Sequence, residues 1–163
     1  VQNGEGGPHF VGFGREIMDA VEEHKANKLI VDLRHNGGGN GALLDPTIRR
    51  ISENDRINRE GRLFVLTSPK TFSAALMFTV RLERNTNALF AGTPGGGKPN
   101  SYGEYNPITL PHSGMSGSIS SRWHEEGAPD DTRDYVPVDI PVELSSQDFF
   151  VNRDPVLEAV LSY

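Results

Sequence analysis

Ser73 lies in Ser68-Pro69-Lys70-Thr71-Phe72-Ser73-Ala74-Ala75-Leu76-Met77-Phe78, and this setting suits the nucleophile of an acyl transfer. Leu63-Phe64-Val65-Leu66 ahead of it has strand composition, and Ala74 to Leu82 behind it is apolar on most faces and long enough for a core helix. Ser73 therefore falls at a strand-to-helix junction. The first amides of a helix lack intrahelical partners and its dipole is positive there, so an anion forming beside Ser73 is stabilised by the Ala74 amide and its neighbours. Serine is also a favoured helix N-cap, and that simpler role stays open for the same residue.

A second segment supplies a partner for this junction. Lys28-Leu29-Ile30-Val31-Asp32-Leu33-Arg34 reads as a buried strand running into His35-Asn36-Gly37-Gly38-Gly39-Asn40-Gly41. Four glycines in five positions let a backbone turn tightly and approach a ligand closely. Such a loop can point amides at an oxyanion, or it can simply start the helix suggested by Leu43, Leu44, Ile48 and Ile51.

The order of these pieces resembles the tail-specific, C-terminal-processing serine peptidases, the group that includes the tricorn protease core. The likeness rests on a strand, Asp-Leu-Arg-x-Asn-Gly-Gly-Gly, a spacer, a strand, Thr-x-Ser-Ala-Ala, a helix and then Gly-x-x-Gly-Gly. It covers Val1 to Gly103 and extends more loosely through Asp139-Ile140-Pro141-Val142 and Arg153 to Ala159. It implies that Ser73 is the nucleophile, that Ala74 gives one oxyanion amide, and that Gly38, flanked by Gly37 and Gly39, gives the other. It also implies a single α/β domain related to the crotonase and ClpP superhelix of strands and helices.

A serine hydroxyl needs a base to take its proton. The resemblance implies a lysine downstream of the serine, and Lys98, in Thr93-Pro94-Gly95-Gly96-Gly97-Lys98-Pro99, lies at a suitable spacing. Aligning Thr93 with the family threonine puts Gly96 on the lysine position and Lys98 two residues later. The tricorn arrangement uses a histidine on an upstream strand, where this chain has only Val1-Gln2-Asn3. His9, His35 and a residue upstream of the chain are the other candidates for the base. Asp130, Asp131 and Asp134 are candidate orienting carboxylates, or a solvated acidic loop.

Gly92 to Lys98 also matches the start of a phosphate-binding loop, but Pro99 stands where a Ser or Thr would hold Mg²⁺, and no helical pattern follows. Gly12 and Gly14 lack the preceding strand of a dinucleotide fingerprint. The 163 residues are 36% hydrophobic, enough for one domain with a sizeable core, and the net charge of −6 with no basic cluster argues against nucleic acid or anionic membrane as the main partner. With no cysteine, disulfides and thiolate metal sites are excluded, the five histidines are scattered, and no cofactor is expected.

Phe10, Phe13, Ile17 and Val21 at helical spacing predict an amphipathic first helix. Ala88-Leu89-Phe90-Ala91 predicts a short strand, the stretch from Gly92 to Asp134 predicts short strands and loops forming a wall over the site, and Asp154-Pro155 opens a last helix. Strand and helix thus alternate, as in an α/β domain. Val1-Gln2-Asn3 without an initiating Met suggests that residues 1–163 are a catalytic-domain fragment of a longer protein. The expectation is a serine-type peptidase acting on extended polypeptides, placed outside the cytoplasm by the resemblance alone, with self-association left open. A catalytically inactive carrier module on the same scaffold is the alternative, since fold does not guarantee catalysis.

Overall fold

The computed structural model describes residues 9–163, so the upstream strand position at Val1-Gln2-Asn3 lies outside the described residues. Four parallel strands, β1 (Leu29–Asp32), β2 (Leu63–Thr67), β3 (Leu89–Gly92) and β6 (Ile140–Pro141), form one sheet in the order β1-β2-β3-β6. Both faces of this sheet are covered, which is why β2 reads as an unbroken apolar run. Leu63 and Val65 pack with Met18, Ile48, Ile51, Phe78 and Leu82 on one face, while Phe64 and Leu66 pack with Ala91, Val156 and Val160 on the other. These four apolar β2 side chains are fully buried, each contributing about 1.5–3 kcal/mol of transfer free energy.

The first layer holds α1 (Phe10–Glu23), α2 (Asp45–Ser52) and α3 (Ala74–Asn85), and the second holds α5 (Pro155–Ser162). Phe10 meets Phe78 edge to face with centroids 6.0 Å apart, tying α1 to α3. Gly14 is required at the α1–α2 crossing, because a Cβ there would stand 2.2 Å from the Thr47 hydroxyl. The last helix starts as its sequence predicts: Asp154 caps it by accepting from the Leu157 amide, and Pro155 occupies the first turn.

Two features depart from the sequence reading. The strand after Lys28 is only half-buried, and among the described residues β1 stands at the edge of the sheet. The Gly92–Asp134 stretch carries two ten-residue strands, β4 (Asn100–Thr109) and β5 (Ser116–Glu125), which among the described residues pair only with each other, as an antiparallel hairpin. Its base is anchored by the buried Asn100, whose amide group donates to the Ala128 carbonyl and whose oxygen accepts from the Gly127 amide. A five-residue helix, α4 (Ser146–Phe150), opens on a capping box between Ser145 and Asp148.

Candidate active site

Parallel sheets place their loops for ligands at the carboxyl ends of the strands. Here the loops following β1, β2 and β3 meet at that end. The glycine loop follows β1, the Ser68–Ser73 turn follows β2, and Gly95–Gly97 follow β3.

The turn after β2 is cross-linked to the β1 loop by hydroxyl and amide groups. Thr71, fully buried, donates to the Leu33 carbonyl at 2.8 Å and accepts from the Ser68 amide at 3.0 Å. The Ser68 hydroxyl donates to the Arg34 carbonyl, and the Phe72 amide to the Asn36 carbonyl at 3.2 Å. From the third loop, the Gly96 amide donates to the Thr71 carbonyl at 2.9 Å, and Gly95 and Gly97 lie against Leu76. Ser73 is thus the exposed end of a turn held on both sides.

Its backbone adopts φ 53° and ψ −127°, a conformation that glycine normally takes. The Ser73 side chain makes no capping hydrogen bond to the helix it precedes. The N-cap role therefore does not explain this serine. Among the described residues the Ala74 amide has no protein acceptor, so it is free to donate to a ligand.

Of the three loop glycines, Gly38 is brought to Ser73. Its φ is 120°, and a Cβ built there would lie 2.6 Å from the Ser73 Cβ, 3.0 Å from its Oγ and 3.1 Å from the Ala74 nitrogen. Gly37 and Gly39 face open space at the same test. The Gly38 amide donates to Asn36 Oδ1 at 3.0 Å, so an oxyanion drawing on this donor must take it from Asn36. Asn36 thus holds both the glycine loop and, through its carbonyl, the serine turn. Sequence reasoning passed over this residue, although Asn two positions before a loop glycine is a known turn-forming signal.

Beneath the loop, Arg34 forks between two carboxylates, donating to Asp32 at 2.7 Å and to Asp154 at 2.7 and 2.8 Å. Burial pushes the Asp32 carboxyl up, but the hydrogen bonds and charge of Arg34 outweigh it and hold the group below the usual carboxylate range. Hydrogen bonds from Arg34 first, and from the Leu157 amide, lower Asp154 likewise, and the two carboxylates raise Arg34. This cluster ties β1 to the start of α5 and was not legible from the Asp-x-Arg spacing alone.

No side chain among the described residues makes a hydrogen bond to the Ser73 hydroxyl. Lys98 lies one residue beyond the glycines packed on Leu76, and its ammonium pairs with Asp134 at 2.6 Å, with side chains 57% and 76% exposed. The Lys98 bond holds the Asp134 carboxyl below its ordinary range. Asp131 is held by Arg133, which also grips Glu83, while Asp130 and the imidazoles of His9 and His35 are exposed. His9 serves α1 through its carbonyl, which accepts from the Phe13 amide at 2.9 Å. The structure therefore gathers Ser73, Ala74 and Gly38, and leaves Lys98, His9 and His35 outside hydrogen-bond contact with the serine. Among the described residues no group of three or more His, Cys, Asp or Glu side chains could hold a metal ion, and no helix is long and apolar enough to cross a membrane.

No family model matches the chain, and no curated protein does. Solved structures do. A structure from Parabacteroides merdae described as a peptidase superposes with a TM-score of 0.63 at 19% identity, over 91% of this chain and 56% of that one. One from Bacteroides fragilis described as an S41 protease gives 0.61 at 14% identity, over 99% and 51%. The photosystem II D1 C-terminal processing protease gives 0.54 at 18% identity, over 81% and 38%. This chain thus spans between 38% and 56% of the length of these proteins. The mixed α/β fold with its parallel sheet is similar to the fold of these protease and peptidase structures.

Proposed function

We propose that the chain is a serine-type peptidase domain acting on extended polypeptides. The observation that carries this reading is Ser73 itself: a non-glycine residue at φ 53°, its hydroxyl released from helix capping, with Gly38 against it and a free Ala74 amide beside it. Strain of this kind costs about 1–3 kcal/mol and persists where the surrounding structure imposes it, commonly at catalytic turns.

In the proposed reaction Ser73 Oγ attacks a peptide carbonyl carbon. Its proton passes to a base, the carbonyl π electrons move to oxygen, and the Ala74 and Gly38 amides donate to that oxyanion. Collapse expels the amine, which takes the proton from the base, and water then releases the acyl group by the reverse sequence. Lys98 is assigned as the base. An ammonium cannot accept a proton, so the Lys98–Asp134 pair must open and the lysine lose its proton before it can serve. The neighbours called peptidases support a polypeptide as the substrate, and the resemblance to processing peptidases favours action outside the cytoplasm. Self-association belongs to the same proposal and is read from an elution volume.

A fluorophosphonate probe tests the reading, applied to the chain, to Ser73→Ala and to Lys98→Ala. Labelling lost in both variants supports nucleophile and base. Labelling lost only in Ser73→Ala moves the base elsewhere, and no labelling of the folded chain favours a binding module.

A further inference from the structure

A cavity of about 630 Å³ opens between α1, β1, the glycine loop and the start of α3. Its rim includes Gly38, Gly39 and Ala74, and its wall is made by Phe10, Phe13, Ile17, Met18, Ile51 and Phe78. The rim is therefore shared with the two proposed oxyanion donors. The side chain of the residue bearing the attacked carbonyl starts two bonds from the carbonyl carbon, so it is the substrate group that reaches this cavity first. The volume is within the range of sites that enclose a small ligand.

The lining also states what fits. Its wall is mostly aliphatic and aromatic; Asn36, Asn40 and Thr47, whose buried hydroxyl has no partner, are its polar side chains, and among the described residues its one ionisable side chain, Asp32, is already engaged by Arg34. A charged substrate side chain entering here would leave its hydration without meeting an unpaired opposite charge among the described residues, whereas an aromatic or branched aliphatic one gains contact along the apolar wall. Resting on the peptidase reading, we infer that this cavity is the specificity subsite for a bulky apolar residue, phenylalanine or leucine in size, immediately before the scissile bond. A hydrophobic pocket discriminates by about 10-fold or more for each missing methylene, so phenylalanine over alanine should exceed about 100-fold.

The test uses peptidyl diphenyl phosphonates carrying a Phe, Leu, Ala or Asp side chain next to phosphorus, with ethyl fluorophosphonate and a decyl fluorophosphonate run alongside. The second-order rate of Ser73 modification is read by mass spectrometry. The inference expects Phe and Leu probes at least about 100-fold faster than Ala and Asp. Ile17→Trp, which fills the cavity, should bring the Phe-to-Ala ratio down at least tenfold. If that variant does not fold, Phe13→Lys at the 37% exposed Phe13 should raise the Asp-to-Phe ratio by a similar factor. Equal rates for Phe and Ala probes, with ethyl fluorophosphonate still modifying Ser73, would overturn the subsite and leave the nucleophile standing. A decyl probe that outpaces every peptide probe would overturn it in favour of an acyl chain. No modification by any reagent would remove the subsite and the peptidase reading together.

Discussion

Gly38→Ala is the most direct perturbation of the proposed oxyanion arrangement, and its effect follows from the geometry. The added Cβ would sit 2.6 Å from the Ser73 Cβ, where ordinary contact begins at 3.4 Å, and 3.1 Å from the Ala74 nitrogen. Ser73 cannot yield, because its turn is pinned by Thr71, Ser68 and Phe72 to the carbonyls of Leu33, Arg34 and Asn36. The glycine loop must retreat instead, and its φ of 120° is itself strained for alanine. A displacement of roughly 1 Å at a reacting centre costs about 100-fold, and outright loss of one oxyanion donor costs about 2.7–4 kcal/mol, or 10²–10³-fold. Fluorophosphonate labelling of Gly38→Ala should therefore slow by about 10²–10³-fold. Gly37→Ala, whose Cβ faces open space, should slow far less. The assay is the pseudo-first-order labelling rate, with circular dichroism confirming the fold. A folded Gly38→Ala that labels as fast as the parent would refute the claim that Gly38 faces the nucleophile.

Thr71→Val keeps the shape but leaves the Leu33 carbonyl and the Ser68 amide without their hydroxyl partner, so urea unfolding should show a loss of about 1–3 kcal/mol and labelling should slow with it. Arg34→Ala should destabilise the chain by about 2 kcal/mol, since Asp32 and Asp154 lose the fork that joins β1 to α5. The sign of the pH dependence follows from the lowered carboxyls. Asp32 and Asp154 bind protons less readily folded than unfolded, so their contribution is complete above about pH 4 and lost as pH falls further. Melting temperature should drop on acidification below about pH 4, and less steeply in Arg34→Ala, with the Arg133-bound Asp131 and the exposed Asp134 supplying a residual slope. Asp134→Asn frees the Lys98 ammonium from its ion pair; if Lys98 is the base, labelling near neutral pH should rise and should vanish when Lys98→Ala is added. An unchanged rate in Asp134→Asn would assign the base elsewhere.

The parts of the site that were legible in the sequence are those written in local composition. The apolar run before Ser73 and the apolar helix after it place the serine at a strand-to-helix junction, and the glycine run marks the facing loop, because both signals need only neighbouring residues. Which glycine approaches the serine was not legible, since Gly37, Gly38 and Gly39 are chemically alike and only packing against Ser73 separates them. The long-range fastenings were equally silent. Thr71 to Leu33, Ser68 to Arg34 and Arg34 to Asp154 join segments far apart in the chain, and nothing in a hydroxyl's own neighbourhood says which carbonyl it will find. Short strands were expected between Gly92 and Asp134, but the length of β4 and β5 and their pairing as one hairpin escaped for a different reason. Its strands are exposed nearly throughout and lack a buried face, so the alternation that normally marks a strand is missing, and Gly103, Pro107 and several serines read as loop.

The central claim is that Ser73 is an activated nucleophile held by its turn beside two backbone donors. Its direct test is mass spectrometry of the chain after fluorophosphonate treatment. The account predicts one stoichiometric adduct, located on the peptide containing Ser73 and absent from Ser73→Ala. A folded chain that remains unmodified, or carries the adduct on another residue, would contradict it.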